Sequence, residues 1–308
     1  MKNNIIFGPI YSRRFGKSLG IDLSPSQKQC NFDCLYCELE AKKAQEKMIE
    51  IVPVKEVLEQ LKQRLNDDID VLTITANGEP TLYPFLYPLM QNIKSLIPKN
   101  TKTLILSNGS KFGDKEVQKA LLLFDIVKFS FDGGEQKIFS RIDRPHKSLS
   151  LDSIKQGILD FSKIYQGELV AEILFVKNIN HSQEHLKTLI DFLSQVNPKR
   201  IDINTIDRPP AYKSNPLDLQ ELETIDLYFK KLLPHIKINT PSRNQHIQQI
   251  KIKNVDELYH LIKKRPLEVE ETHKMLDQEA LEMLKQLLKD KRIFIQTNNN
   301  LNFYTTKH

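Results

Sequence analysis

Three cysteines, the only ones in a chain of 308 residues, lie within one window of eight: Cys30-Asn-Phe-Asp-Cys34-Leu-Tyr-Cys37. A disulfide framework needs an even number of thiols from distant segments, so three bunched thiols point to metal ligation or redox chemistry. Structural zinc normally closes with four protein ligands. A fourth would have to be a distant His or an acidic neighbour such as Asp33 or Glu38, so zinc fits the set less well. Iron–sulfur clusters are held by thiolates, and a [4Fe–4S] cube on three of them leaves one iron open to an exogenous ligand. The spacing Cys-x3-Cys-x2-Cys supplies two short, unequal loops that can wrap one cube.

The elements that carry this loop follow from periodicity. Residues 18–23 alternate as a strand, which places the cysteines at its C-terminal end. A helical pattern spans 53–66, with Pro53 in the tolerated first turn and Val54, Val57, Leu58, Leu61 and Leu65 at helical spacing. Strand-like runs then recur at 70–76, 101–107, 126–131, 168–176 and 200–206, separated by amphipathic stretches such as 151–165 and 181–196. Six strands without short hairpin turns require helical crossovers and a parallel sheet. The expected class is therefore α/β, a partial (β/α)6 barrel of TIM type, with functional residues at the C-terminal strand ends.

The last part reads differently. Segments 255–264, 269–276 and 278–290 are expected helices, and 292–297 with 301–306 an expected hairpin around Asn298-Asn299-Asn300, an order that resembles a winged helix. The expected division is a barrel over 1–245, whose final stretch 199–243 ends and covers it, and a small domain over 246–308, with a linker near 243–253.

Composition bounds the setting. With 40% hydrophobic and 27% charged residues the chain is of the globular class. No apolar run nears the roughly 20 residues that span a bilayer, and the first residues lack a signal peptide's apolar segment, so the expected location is the cytoplasm, away from membranes. The net charge of +6 is a mild excess that permits an acidic partner without singling one out.

Unusual residues gather after the strands. Runs 77–82 (Asn-Gly-Glu-Pro-Thr-Leu), 107–109 (Ser-Asn-Gly) and 130–134 (Ser-Phe-Asp-Gly-Gly) suit ordinary turns. A glycine at a strand's end, such as Gly78, also lets backbone carbonyls approach a ligand closely. Runs 141–146 (Arg-Ile-Asp-Arg-Pro-His) and 207–211 (Asp-Arg-Pro-Pro-Ala) place Arg144 and Arg208 where they could overhang one mouth and grip a carboxylate or phosphate of a substrate. Glu172, mid-strand, lines the barrel or faces a helix. His181 and His185 have no carboxylate motif beside them and read as surface histidines.

The run 8–23 (Gly-Pro-Ile-Tyr-Ser-Arg-Arg-Phe-Gly-Lys-Ser-Leu-Gly-Ile-Asp-Leu) leading into the cysteines, together with 77–82, 141–146 and 207–211, resembles the radical S-adenosylmethionine (SAM) superfamily. More narrowly, it is similar to the wyosine-synthase-related Fe–S oxidoreductases. The resemblance implies a [4Fe–4S] cluster on Cys30, Cys34 and Cys37, whose open iron takes the amino and carboxylate groups of SAM. It implies that Gly78 and Glu79 stand in a Gly-Gly-Glu motif that receives the SAM amino group, Asn77 replacing its first glycine. By the same resemblance Ser130 and Asp132 touch the SAM ribose or carboxylate, Asn108 joins them from the third strand end, and Tyr36 contacts adenine.

The implied activity is that of a radical SAM enzyme, of oxidoreductase or transferase type: an electron from a donor such as flavodoxin or ferredoxin cleaves SAM, and the resulting 5′-deoxyadenosyl radical abstracts hydrogen from substrate. Kinship suggests a macromolecule, tRNA first. The tRNA enzyme of that branch carries a second cysteine trio, which is missing here. Residues 277–290 hold two lysines against four acids and 293–306 hold no charge, which argues against duplex DNA, since phosphate contacts need Lys and Arg. A protein or peptide substrate is the close alternative, and a non-enzymatic Fe–S redox sensor the other.

Overall fold

The computed structural model describes residues 4–12, 15–66, 68–240, 250, 252–298 and 301–306. The chain opens with β1 (Ile6–Ser12), β2 (Gly16–Asp22) and α1 (Val54–Arg64). It continues through β3 (Val71–Thr75), α2 (Leu86–Leu96), β4 (Lys102–Ser107), α3 (Lys115–Leu121), β5 (Ile126–Ser130), α4 (Gln136–Ile142) and α5 (Leu151–Ile164). Then come β6 (Glu168–Phe175), α6 (Gln183–Val196), β7 (Arg200–Thr205), α7 (Leu219–Leu232) and β8 (Lys237–Asn239). One sheet takes the strands in sequence order, parallel from β2 to β8. Its edges, β1 and β8, do not pair with each other among the described residues, so the α/β barrel is partial and open.

The six expected strands coincide with β2 to β7. An additional strand, β1, pairs antiparallel with β2 and carries a register shift between Phe7 and Ile10. Gly8-Pro9 falls within it. Proline lacks the donor a ladder needs and is tolerated in an edge strand, where β1 lies. The three residues of β8 are too few to show alternation.

Period-2 geometry divides each strand between two environments. Leu19, Ile21, Leu72, Ile74, Ile105, Val127, Ala171, Ile173, Ile201 and Ile203 face outward into one hydrophobic core. There they meet Val57 and Leu61 of α1, Leu89 and Ile93 of α2, Phe161 of α5, Leu189 and Leu193 of α6 and Phe229 of α7. The alternate residues, among them Ser18, Asp22, Thr73, Lys128, Ser130, Glu172 and Asn204, face the inside. Caps fix the helices that set these strands apart: Asp114 starts α3, Ser182 starts α6, and Asp218 with Glu221 forms a capping box on α7. Each cap of this kind is worth about 1 kcal/mol.

The C-terminal unit comprises α8 (Val255–Lys264), β9 (Leu267–Glu268), α9 (Val269–Met275), α10 (Gln278–Lys289), β10 (Ile293–Asn298) and β11 (Leu301–Thr306). It has its own three-stranded antiparallel sheet, ordered β10-β11-β9, and its own core of Leu258, Leu261, Ile262, Leu276, Ala280, Leu284, Leu287 and Tyr304. The three helices and the hairpin match expectation, and the two-residue β9 is additional. The expected boundary at 245/246, most of the expected linker, Asn299 and Asn300 of the turn, and Arg13 and Arg14 lie outside the described residues. No described helix is long and apolar enough to cross a membrane.

Candidate active site

Between β2 and α1 the chain has almost no regular structure, so hydrogen bonds from buried amides must fix the cysteine loop. Gln29 is fully buried. Its amide nitrogen donates to Ser24 Oγ at 2.7 Å and to the Glu50 carbonyl at 2.9 Å, while its oxygen accepts from the Ile49 and Glu50 N–H groups. Asn31, also buried, donates to Ser110 Oγ at 2.7 Å and accepts from the Asn108 amide at 2.8 Å. Two loops strap the cysteines from outside. The Asp33 and Leu35 N–H groups donate to the Asp143 and Ile142 carbonyls at 3.0 and 2.8 Å, and the Ala211 N–H donates to the Cys37 carbonyl at 2.8 Å.

All three thiols line one cavity of about 1980 Å³ that runs into the barrel interior. Ordinary ligand sites occupy roughly 300–1,000 Å³, so a cofactor and a substrate group fit together. Tyr36, Gly78, Glu79, Asn108, Ser130 and Arg208 line it as well; Asp132 and Arg144 are not among the lining residues.

Gly78 has φ +137, and a Cβ there would lie 1.9 Å from the Gln29 carbonyl oxygen. Only glycine fits. The contact is a backbone bridge: the Gln29 N–H donates to the Asn77 carbonyl at 2.8 Å and the Glu79 N–H to the Gln29 carbonyl at 3.0 Å. This ties the turn after β3 to the residue before Cys30. Glu79, 1% exposed, accepts from Thr81 N–H and hydroxyl, Ser107 hydroxyl and Asn108 N–H at 2.6–2.9 Å. Burial raises its carboxyl above the ordinary range, and those donors oppose the rise.

Asp132 is a brace. Its Oδ1 accepts from the Leu174 N–H at 2.6 Å and its Oδ2 from the Tyr36 hydroxyl, so it orients Tyr36 toward the cavity from behind. Burial pushes its carboxyl up to about 7 against those two bonds. Arg208 puts one guanidinium nitrogen 2.8 Å from both Glu38 oxygens, and Arg144 lies 4.3 Å over the Tyr212 ring, whose hydroxyl donates to Asp33 at 2.7 Å. Both arginine loops therefore strap the cysteine loop. The surface reading of His185 is corrected: it is fully buried, 3.2 Å from the Asp132 carbonyl, because its place on α6 turns it against the 132–135 loop.

Sequence reasoning missed Lys128, Asp22, Gln29 and Asn31. Lys128 is 7% exposed at its side chain and pairs with Glu172 at 2.6 Å and Asp202 at 3.0 Å, which settles Glu172 as a barrel-lining residue. The signal was present: a lysine two residues before Ser130 in an apolar strand shares its inward face.

The thiols suit a cationic metal group. Burial pushes the Cys30 thiol up to about 12. Burial, with Asp143 adding to it, raises Cys34; burial also raises Cys37, against the opposing charge of Lys28. A bound metal deprotonates a coordinating thiol outright. Donors already face the sulfurs: the Phe32 N–H is 3.4 Å from Cys30 Sγ and the Asn108 amide 3.8 Å from it, with Lys28 buried beside Cys37. Hydrogen bonds to sulfur of this kind tune thiolate-held clusters. Among the described residues no three His, Cys, Asp or Glu side chains form a group that could hold a single metal ion.

A family model for the radical SAM superfamily matches residues 24–193, more than half of the chain. The chain belongs to the radical SAM superfamily. A UPF0026 protein of Helicobacter pylori (strain J99) is 48% identical over 304 residues, covering 97% of each chain. Two solved structures share the fold. Streptococcus suis SuiB bound to S-adenosylmethionine aligns with TM-score 0.54 and 18% identity over 70% of this chain and 49% of that one. TYW1 with a lysine-pyruvate adduct bound aligns with TM-score 0.51 and 17% identity over 70% of this chain and 73% of that one. Radical SAM enzymes as a class combine an iron–sulfur cluster with SAM, and the matched segment contains all three cysteines.

Proposed function

We propose that this radical SAM protein carries a [4Fe–4S] cluster on Cys30, Cys34 and Cys37 and uses SAM to modify a macromolecule, with tRNA the first candidate. One observation carries the cofactor reading: three thiols from a single strapped loop line the same large cavity as Gly78, Glu79 and Asn108. When bound, the cluster and SAM supply a 5′-deoxyadenosyl radical through one-electron reduction, the electron coming from a donor of the flavodoxin or ferredoxin kind.

The chain's own residues then position and shield. Gly78 lets its backbone approach the methionyl end of SAM, while Glu79 holds the 77–82 turn against the 107–109 turn. Tyr36, braced by Asp132, offers its ring to the adenine, and Ser130 offers its hydroxyl from the neighbouring strand end. Asp132 acts through Tyr36 and the Leu174 N–H. Arg208 serves substrate from the cavity wall while neutralising Glu38, and Arg144 stacks on Tyr212. The loops after α4 and β7 exclude water by covering the cysteine loop.

The barrel of residues 1–245 is the catalytic domain in this reading, and 246–308 a winged-helix-like docking domain. Its charge favours a second reading, a protein or peptide substrate. Over 277–290 it carries two lysines against four acids, and its hairpin none, too little positive charge to hold a phosphate backbone. SuiB has also been solved bound to its precursor peptide SuiA.

The test is anaerobic reconstitution with iron and sulfide, reduction in the presence of SAM, and chromatography for 5′-deoxyadenosine, with Cys34→Ala as control. Cluster-dependent 5′-deoxyadenosine supports the reading. Stoichiometric zinc in a colourless protein that forms no cluster contradicts it. Cross-linking from the active protein then separates RNA from protein substrates.

A further inference from the structure

The cavity has a wall that the barrel does not supply. Leu261, Lys264 and Arg265, at the end of α8 and just beyond it, line the same cavity as the cysteines. Lys264 reaches across from the C-terminal unit to Asp22, the last residue of β2, with Nζ 3.0 Å from Oδ2. Both partners are enclosed: the Asp22 side chain is 2% exposed and that of Lys264 16%. The same ammonium lies 4.4 Å over the Phe7 ring and 3.4 Å from the Asn4 carbonyl.

Asp22 sits at a junction. Its other oxygen, Oδ1, accepts from the Ser24 N–H at 2.9 Å and from the Asn77 N–H at 2.8 Å. One bond starts the loop that leads to Cys30, and the other holds the turn that contains Gly78 and Glu79. A carboxylate buried this far is held by its partners, and removing the Lys264 ammonium leaves an uncompensated charge that either draws in water or lets go of its backbone donors.

We infer that Lys264 is a positioning residue for SAM: the C-terminal unit completes the cofactor site by neutralising Asp22, and through Asp22 it sets the turn that receives the SAM amino group. The inference rests on the radical SAM reading of this cavity. It gives the C-terminal unit a part in cofactor binding in addition to any docking of substrate, and it ties the placement of that unit to the readiness of the site. A second contact between the units separates this effect from docking in general. Arg64 of α1 pairs with Glu257 of α8 at 2.6 Å, and neither lines the cavity.

The experiment uses the full chain, reconstituted anaerobically, with labelled SAM in equilibrium dialysis and the iron content and electron paramagnetic resonance of the reduced cluster measured alongside. Lys264→Met is expected to keep its iron and to lose SAM affinity by at least about tenfold, because breaking a buried ion pair leaves an uncompensated charge beneath the 77–82 turn. Asp22→Asn combined with Lys264→Met removes both charges and keeps an acceptor for Ser24 and Asn77, so SAM affinity returns toward that of the parent. Arg64→Leu leaves it unchanged. Lys264→Gln replaces Lys264→Met if the latter does not accumulate as folded protein. Parental SAM affinity in the folded Lys264 variant overturns the inference, as does an equal loss in Arg64→Leu or no recovery in the double variant. A parent chain that builds its cluster and takes up no SAM overturns the reading beneath and this inference with it.

Discussion

The cysteine loop and the C-terminal unit are held together by opposite means. From Ser24 to Glu50 the chain depends on polar partners far away in sequence: Gln29 on Asn77 and Glu50, Asn31 on Asn108 and Ser110, Asp33 on Tyr212. The C-terminal unit depends on an apolar core of leucines at helical spacing. The cysteine loop is irregular backbone, which cannot satisfy itself, so other segments must satisfy it. The C-terminal unit buries one apolar face of each helix and satisfies its own backbone. Damage should therefore cost the first region its cofactor and the second its stability.

The largest expected effect is at the ligands. Cys34→Ala should bring iron content and 5′-deoxyadenosine to background while the circular dichroism of the fold persists. Next is Leu284→Ala in the second core, where loss of a buried leucine typically costs about 2–5 kcal/mol. Thermal unfolding should fall accordingly, with iron per chain unchanged; lost iron would break the comparison. Gly78→Ala forces a Cβ into the Gln29 carbonyl, and a side chain in that backbone region costs on the order of 1–3 kcal/mol. It should lower both the melting temperature and SAM uptake. Gln29→Leu strands buried donors at about 1–3 kcal/mol each, and its signature is iron loss out of proportion to the drop in stability.

The smallest effect is a control far from the site. Burial pushes the Asp125 carboxyl up, but Lys94 and the Thr103 N–H and hydroxyl more than offset it, so its folded pKa lies below the ordinary value. A depressed carboxylate contributes stability above its unfolded pKa, about 3.9, and loses it as pH falls through the folded value. Asp125→Asn should therefore melt earlier than the parent at pH 6, and the gap should close below about pH 4. A gap that widens in acid would contradict the assignment.

The same contrast explains what could be read in advance. Strands β2 to β7 announce themselves because inward and outward residues alternate, and the helices of the C-terminal unit because their leucines repeat. The cysteines are legible by type and spacing alone. The straps are not. Arg144 and Arg208 look in sequence like free grips for an anion, and only the fold shows Glu38 and Tyr212 beside them, from segments about 170 and 68 residues away. Asp132 reads as a ligand contact, and the sequence does not tell that its oxygens also accept from the Tyr36 hydroxyl and the Leu174 N–H. His185 reads as exposed because helix spacing does not tell which loop covers a face. Proline hides β1, whereas Lys128 is legible as the one charge on the inward face of β5.

The central claim is a cluster on three cysteines that leaves one iron to SAM. Electron paramagnetic resonance of the reduced, reconstituted protein, recorded with and without SAM, tests it most directly. The account predicts a [4Fe–4S] signal that changes when SAM is added and is lost in each of Cys30→Ala, Cys34→Ala and Cys37→Ala. A cluster signal indifferent to SAM, or one that survives removal of any of the three thiols, would contradict it.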